Sequence, residues 1–341
     1  MARRVGLRSV PLHAVEAQLR RERTGNRDVY APLTDLAITV SDPLKPPHGR
    51  FRLRGKIGGR DEVLDLTPTA LSQLCNVTGV PMPFVERAPA SLAASSLRCF
   101  AEMVAEGAGK SSLLRLKDRG TPSACLRAIL PQSYVRLDDR AVLAEVTAAV
   151  GGADLRAATV NVEEDVFAVR LVFDEELNLG SARHPDGGRL GIDVITSETG
   201  RHPLEVRWVV FRTVCSNGMT QVSSQQEALR KRYTRVDRES LRSILRSTVD
   251  EVLSKGRDYA ARLADSRSDD VSDPVAEVDR IFRHHRLGNP RGKVGRWVTD
   301  HLLRARTLWG VPRFEVVQAF TQVAQSLDHA ERRRFEDAMG S

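Results

Sequence analysis

Alternation of polar and apolar positions dominates the first two thirds of the chain. It predicts strands over 36–40, 51–57 and 62–66, the three joined as an antiparallel meander. Thr67-Pro68 then supplies an N-cap and a proline at the first helical position, and Gly79 a stop, which predicts a helix over 67–78 with Leu71 and Leu74 buried. A longer helix is expected over 88–105, with Leu92, Leu97, Phe100, Met103 and Val104 as its apolar stripe. Strands at 112–117 and 124–130 follow, and a helix that starts at Asp138-Asp139 and ends near Val150. Residues 155–162, 166–173, 189–196 and 203–214 read as four further strands, with turns at Gly187-Gly188 and Asn217-Gly218.

Beyond Gln221 the pattern turns helical, with helices expected at about 224–264, 274–286, 294–308, 312–326 and 329–338. The fold class is therefore α+β: a twisted, largely antiparallel sheet with flanking helices, followed by an all-helical C-terminal region. Three parts are expected: a basic arm over 1–28 that orders on assembly or binding, an α+β core over 29–222, and a helical region over 223–341, with 265–273 as a linker.

With 341 residues, 41% of them hydrophobic, the chain can bury a substantial core. It has no apolar run of membrane-spanning length and no signal peptide after Met1-Ala2-Arg3-Arg4, so a cytoplasmic protein with no membrane partner is expected. Cys75, Cys99, Cys125 and Cys215 lack the paired spacing of a zinc site or disulfide framework.

Charge changes the picture more. The excess of eight positive charges lies within residues 1–60, which hold 13 basic and five acidic residues; the remainder sums to zero. Residues 151–200 carry four basic and ten acidic residues, whereas 201–265 carry 13 and eight. Such segmentation points to a polyanionic partner, to self-association between unlike segments, or to both. Arginine outnumbers lysine 45 to seven, which suits bidentate phosphate contact but equally reflects a GC-rich coding sequence.

In the 51–57 strand and the residue before it, alternation puts Arg50, Arg52, Arg54 and Lys56 on one face, about 6–7 Å apart. Four like charges in a row repel unless phosphates neutralise them; the competing explanation is an edge strand guarded by solvated charge. Arg115 and Lys117 repeat the device on the 112–117 strand. A second basic element runs through Arg230, Lys231, Arg232, Tyr233, Arg235, Arg238 and Arg242 to Arg246; the spacing from Arg235 onward aligns four guanidiniums on a helical face, with Tyr233 available for base stacking. The alternative there is an intersubunit face opposite the acids of 163–176.

Catalytic constellations fail inspection. Gly109-Lys110-Ser111 imitates a P-loop but lacks its leading glycine, where Val104 stands. Glu163-Glu164-Asp165 and Asp174-Glu175-Glu176 sit at opposite ends of one predicted strand, too far apart to share a metal, and His284, His285 and His301 lack ligand spacing. Cys215 has no neighbouring base, and no Ser/His/Asp triad can be assembled. No catalytic residue, metal or cofactor is expected.

The segment Arg212-Thr213-Val214-Cys215-Ser216-Asn217-Gly218-Met219 resembles the hallmark of a phage- and plasmid-associated family, domain-of-unknown-function family nine hundred thirty-two. Similar short matches occur at Val80-Pro81-Met82-Pro83-Phe84-Val85, at Leu130 to Asp139 around Tyr134, and at Thr307-Leu308-Trp309-Gly310-Val311 with Gln318-Ala319-Phe320-Thr321. The resemblance implies a mobile-element setting and brings no catalytic residues. A basic, strand-rich domain with flanking helices is also similar to phage single-strand annealing proteins of the RecT and Red-beta type. The expectation that joins these lines is a non-enzymatic binder of single-stranded DNA that acts in strand annealing during recombination, as a homo-oligomeric ring or filament without a cofactor. The alternatives are a structural or interaction protein that self-assembles by charge pairing and, third, a metal-dependent nuclease.

Overall fold

Two six-stranded sheets and three large apolar cores organise the chain, in a computed structural model that describes residues 10–108, 111–136, 138–150, 155–179, 187–213, 220–231, 238–304 and 310–340. The first part comprises β1 (Val10–Pro11), α1 (Leu12–Glu22), β2 (Asn26–Ala31), β3 (Leu36–Val40), the single turn α2 (Pro47–Arg50), β4 (Phe51–Ile57) and β5 (Arg60–Leu66). Then come α3 (Pro68–Thr78), α4 (Met82–Arg87), α5 (Ala90–Ala108), β6 (Ser112–Lys117), β7 (Ala124–Pro131) and α6 (Asp139–Ala149). The second sheet is built from β8 (Leu155–Val162), β9 (Phe167–Asn178), β10 (Gly187–Thr196), β11 (Leu204–Thr213) and β12 (Thr220–Lys231). The rest is α7 (Arg238–Asp265), β13 (Asp270–Val271), α8 (Pro274–His284), α9 (Lys293–Arg304), β14 (Val311–Pro312), α10 (Arg313–Ala324) and α11 (His329–Gly340).

The first sheet has the order β2-β6-β7-β5-β4-β3, antiparallel except where β5 runs parallel to β7. Gly58 and Gly59, at φ 56° and 83°, form the two-residue turn between β4 and β5, a geometry that L side chains resist. The face carrying Phe51, Leu53, Ile57, Leu64, Leu114 and Leu126 packs under α3 and α5. As expected from Thr67 and Gly79, α3 starts on the Thr67 hydroxyl, which accepts from Ala70 N at 3.1 Å, and stops at a left-handed Gly79.

The second sheet, β1-β8-β9-β10-β11-β12, is antiparallel throughout. One face, with Phe167, Val169, Leu190, Ile192, Val206 and Trp208, is covered by α1, α6 and α7 and also meets Leu113, Ala128 and Leu130 from the first sheet. The other face carries Arg170, Asp193, Glu205 and Arg207 and receives α11, through Arg170 to Glu336 at 2.7 Å and Arg207 to Asp337 at 2.6 Å. Helices α8 to α11 close a third core around Phe282, Phe314's neighbour Val316, Phe320 and Phe335.

The α+β class holds, and four local expectations change. The segment expected as an arm over 1–28 is, from Val10 onward, a strand, a helix and the start of β2, because Val15 and Leu19 fill the second core. The helix expected from 224 begins only at Arg238; its first residues instead form β12. That stretch is rich in Gln, Glu and Ala, which favour helix, but pairing along β11 overrides propensity. Helix α7 belongs to the second core through Val249, Tyr259, Ala260 and Leu263, so the unit with its own helical core begins near Asp270. Finally, α5 buries Ala93, Ala94, Leu97 and Ala101, and leaves Leu92, Phe100, Met103 and Val104 between 41% and 59% exposed. Small residues allow closer approach to the sheet, and the larger apolar side chains point away from it.

Candidate nucleic-acid interface

The outer face of the first sheet gathers Arg52, Arg54, Lys56, Arg115 and Lys117. Cross-strand registers place Thr39, Arg52, Asp65, Cys125, Lys117 and Asn26 in one row across all six strands. At neighbouring strand spacings of about 4.8 Å this row spans roughly 24 Å. Its chemistry differs sharply from one end to the other.

At the β4 end the face is open. Arg54 and Lys56 are exposed and, among the described residues, neither has an ion-pair partner. Arg52 Nε meets Asp65 Oδ1 at 2.6 Å, and Asp65 Oδ2 accepts from the Ser123 hydroxyl at 2.6 Å. Partial burial pushes the Asp65 carboxyl up, but the Ser123 hydroxyl and the Arg52 guanidinium outweigh it and hold it below the usual carboxylate range. Arg50 leaves the row: it ends α2 and donates to the carbonyls of Lys45 and Glu86, both at 3.0 Å. The expected line of four cations is therefore one paired and two unpaired guanidinium or ammonium groups. Strand β4 is hydrogen-bonded on both sides, to β3 and β5, so its charges do not guard a free edge.

At the β6–β7 end the face is sealed. Arg115 is 3% exposed and donates to Asp28 Oδ1 at 3.0 Å, to Asp138 Oδ1 at 2.6 Å and to the Glu198 carbonyl at 2.8 Å. This corrects its reading as a phosphate contact: α6 and the β10–β11 connection cover it. Lys117 Nζ donates to the carbonyl of Glu22 at the end of α1, 2.8 Å away. Beside them Arg127, fully buried, holds Glu164 Oε1 at 2.5 Å and Glu198 Oε2 at 2.9 Å. Arg23 completes the cluster, 2.7 Å from Asp139 Oδ2 and 3.4 Å from Glu198 Oε2. Burial, reinforced by the Glu198 charge, pushes the Asp139 carboxyl up to about 7 against the pull of Arg23. Its Oδ1 is buried without a hydrogen-bond partner. The cluster ties both sheets, α1 and α6 into one polar seam.

Sequence reasoning missed this seam. Arg127 interrupts an otherwise apolar strand, which was its one visible signal, whereas nothing local marks Glu198 or Arg23. The helix start expected at Asp138-Asp139 is there, with Asp138 as the N-cap of α6, and Asp139 is also the seam's buried acid.

Of the second basic element, Arg230 and Lys231 stand in β12 opposite Glu205 and Leu204, and Arg238 opens α7. Arg232, Tyr233 and Arg235 lie outside the described residues, as do Cys215 and most of the Arg212–Met219 signature. Arg242 is exposed on α7 but pairs with Glu145 of α6 at 2.6 Å. Among the described residues no group of three or more His, Cys, Asp or Glu is placed to hold a metal ion. Burial pushes the Cys75 thiol up to about 11 and raises that of Cys125, so neither is a thiolate at neutral pH. No helix of the described residues is long and apolar enough to cross a membrane.

No family model, no curated protein and no solved structure matches the chain.

Proposed function

We propose that this chain is a non-enzymatic binder of single-stranded DNA that takes the phosphate backbone along β4 and acts, as an oligomer, in strand annealing. The observation that carries the reading is the pair Arg54 and Lys56, unpaired cations on a strand that is internal to its sheet. Self-repulsion on a strand with no edge to protect is unfavourable, and phosphates spaced at 6–7 Å would relieve it. The mobile-element setting implied by the Arg212–Met219 resemblance belongs to this proposal.

Fluorescence anisotropy of labelled single-stranded and duplex oligonucleotides, between about 50 and 200 mM salt, tests it. Arg54→Gln with Lys56→Gln should weaken single-strand binding alike for all sequences and flatten the slope of log affinity against log salt by about 1.4. Unchanged affinity and slope remove β4 from the interface.

A second reading, an interaction protein that self-assembles, is favoured by the exposed Leu92, Phe100, Met103 and Val104 of α5. Phe100→Glu with Met103→Glu should then dissolve the oligomer in light scattering while DNA affinity per chain persists.

A further inference from the structure

The most basic stretch of surface lies in neither element already considered. Residues 280–299 contain Arg280, Arg283, Arg286, Arg291, Lys293 and Arg296, together with His284 and His285, and no acid. They form the end of α8, the connection and the first half of α9. Arg280 and Arg283 are paired within α8, to Glu277 at 2.7 Å and Asp279 at 3.3 Å. Arg286, Arg291, Lys293 and Arg296 are exposed, and among the described residues none has an acidic partner.

The connection that carries them is rigidly built. Leu287 N donates to the Phe282 carbonyl at 3.0 Å, closing α8 with Arg286 at φ 52°. Among the described residues Arg286 is the one non-glycine at positive φ; glycine would sit there without the cost of about 1 kcal/mol that a side chain brings. Asn289 holds the next turn, its side chain accepting from Arg291 N at 2.9 Å and its carbonyl from Gly292 N at 2.9 Å. The Pro290 carbonyl then lies 1.8 Å from where a Cβ of residue 295 would stand, so only glycine lets the connection seat against the first turn of α9. The first backbone bond of α9, Arg296 N to Gly292 O at 3.0 Å, leaves the amides of 293–295 at the positive end of the helix. Trp297 is 40% exposed, with the Lys293 ammonium 4.7 Å from its ring centroid. Four exposed cations, a helix N-terminus and an exposed indole, all between 286 and 297, make a surface suited to a polyanion with stackable bases.

We infer that the α8–α9 turn is a second nucleic-acid site, which holds a strand separate from the one on β4. This rests on the reading above in one respect, that nucleic acid is the polyanion. Helix α11 packs against the face of the second sheet that carries Arg170 and Arg207, whereas the first sheet meets the opposite face. The two basic surfaces belong to different units, the first sheet and the helical unit with its own core, so one chain can present two strands to each other.

The test is capture of a fluorescent oligodeoxythymidine by a bead-bound oligodeoxythymidine, which cannot pair with it, so that only protein bridges them. The wild-type chain should capture. Arg291→Gln, Lys293→Gln and Arg296→Gln together should lower capture at least tenfold, keep the melting temperature because all three are exposed, and reduce by about 20-fold the affinity lost between about 50 and 200 mM salt. Trp297 fluorescence should be quenched by the oligonucleotide in the wild type and in the Arg54→Gln, Lys56→Gln variant alike. Undiminished capture by the triple variant overturns the second site and leaves the β4 reading intact. Unaltered binding by the β4 variant with loss in the triple variant overturns the β4 reading instead. Absence of any binding by the wild type overturns both.

Discussion

Replacing Arg127 with methionine probes the seam that joins the two sheets. The side chain is fully buried, and its guanidinium makes contacts of 2.5 and 3.1 Å to the side chain and carbonyl of Glu164 and of 2.9 Å to Glu198. Removing one partner of a buried ion pair costs about 3–5 kcal/mol, because the remaining charge is left in a medium that solvates it poorly. Glu198 keeps Arg23 at 3.4 Å and the Asp139 amide at 3.2 Å, which argues for the lower end, about 3 kcal/mol. At roughly 2 °C per kcal/mol for a chain of this size, the melting temperature should fall by about 6 °C. Urea denaturation followed by circular dichroism measures the loss. Adding Glu198→Gln removes the stranded charge, so the double variant should recover at least about 1 kcal/mol relative to the sum of the two single losses. A loss below about 1 kcal/mol for Arg127→Met, with strictly additive effects, would refute the view that this pair is a desolvated tie between the sheets.

Two further outcomes follow from the same geometry. Asp139 holds a proton in the folded chain up to about pH 7, whereas the unfolded carboxyl releases it near its ordinary value of about 3.9. Its contribution is complete below about pH 4 and is lost as pH rises towards 7, so stability should fall by at most about 1.4 kcal/mol per pH unit over that window. Asp139→Asn should flatten that fall, and an unchanged pH profile of urea midpoints would contradict it. Arg170→Met removes the pair that ties Glu336 of α11 to the second sheet and leaves Glu336 with Arg332 of its own helix at 2.8 Å, so amide exchange in α8 to α11 should quicken while β4 to β7 stay protected; uniform quickening would show that the helical unit has no separate attachment.

Much of the architecture was legible because it rests on local rules. Period-2 alternation identified β3 to β11, Thr67-Pro68 with Gly79 bounded α3, and the Ser- and Asp-rich stretch near 265–273 marked where the last helical unit begins. Apolar alternation also told which side of β4 is buried. It could not tell what faces the polar side. Arg52, Arg54, Arg115 and Lys117 look alike in sequence, and their fates diverge because β4's outer face stays open while α1, α6 and the β10–β11 connection close over β6 and β7.

Burial of charge is a tertiary property: it is set by partners 37 to 140 residues away, such as Glu164 and Glu198 for Arg127 and Asp139 and Glu163 for Arg23. Likewise α5's larger apolar residues are exposed because the sheet selects the alanine side for close packing, and β12 is a strand because β11 offers it a ladder. The sequence by itself determined where elements start, stop and turn, since those depend on neighbours along the chain. The tertiary structure decided which charges are neutralised inside the protein and which remain for a partner, since desolvation depends on what folds over them.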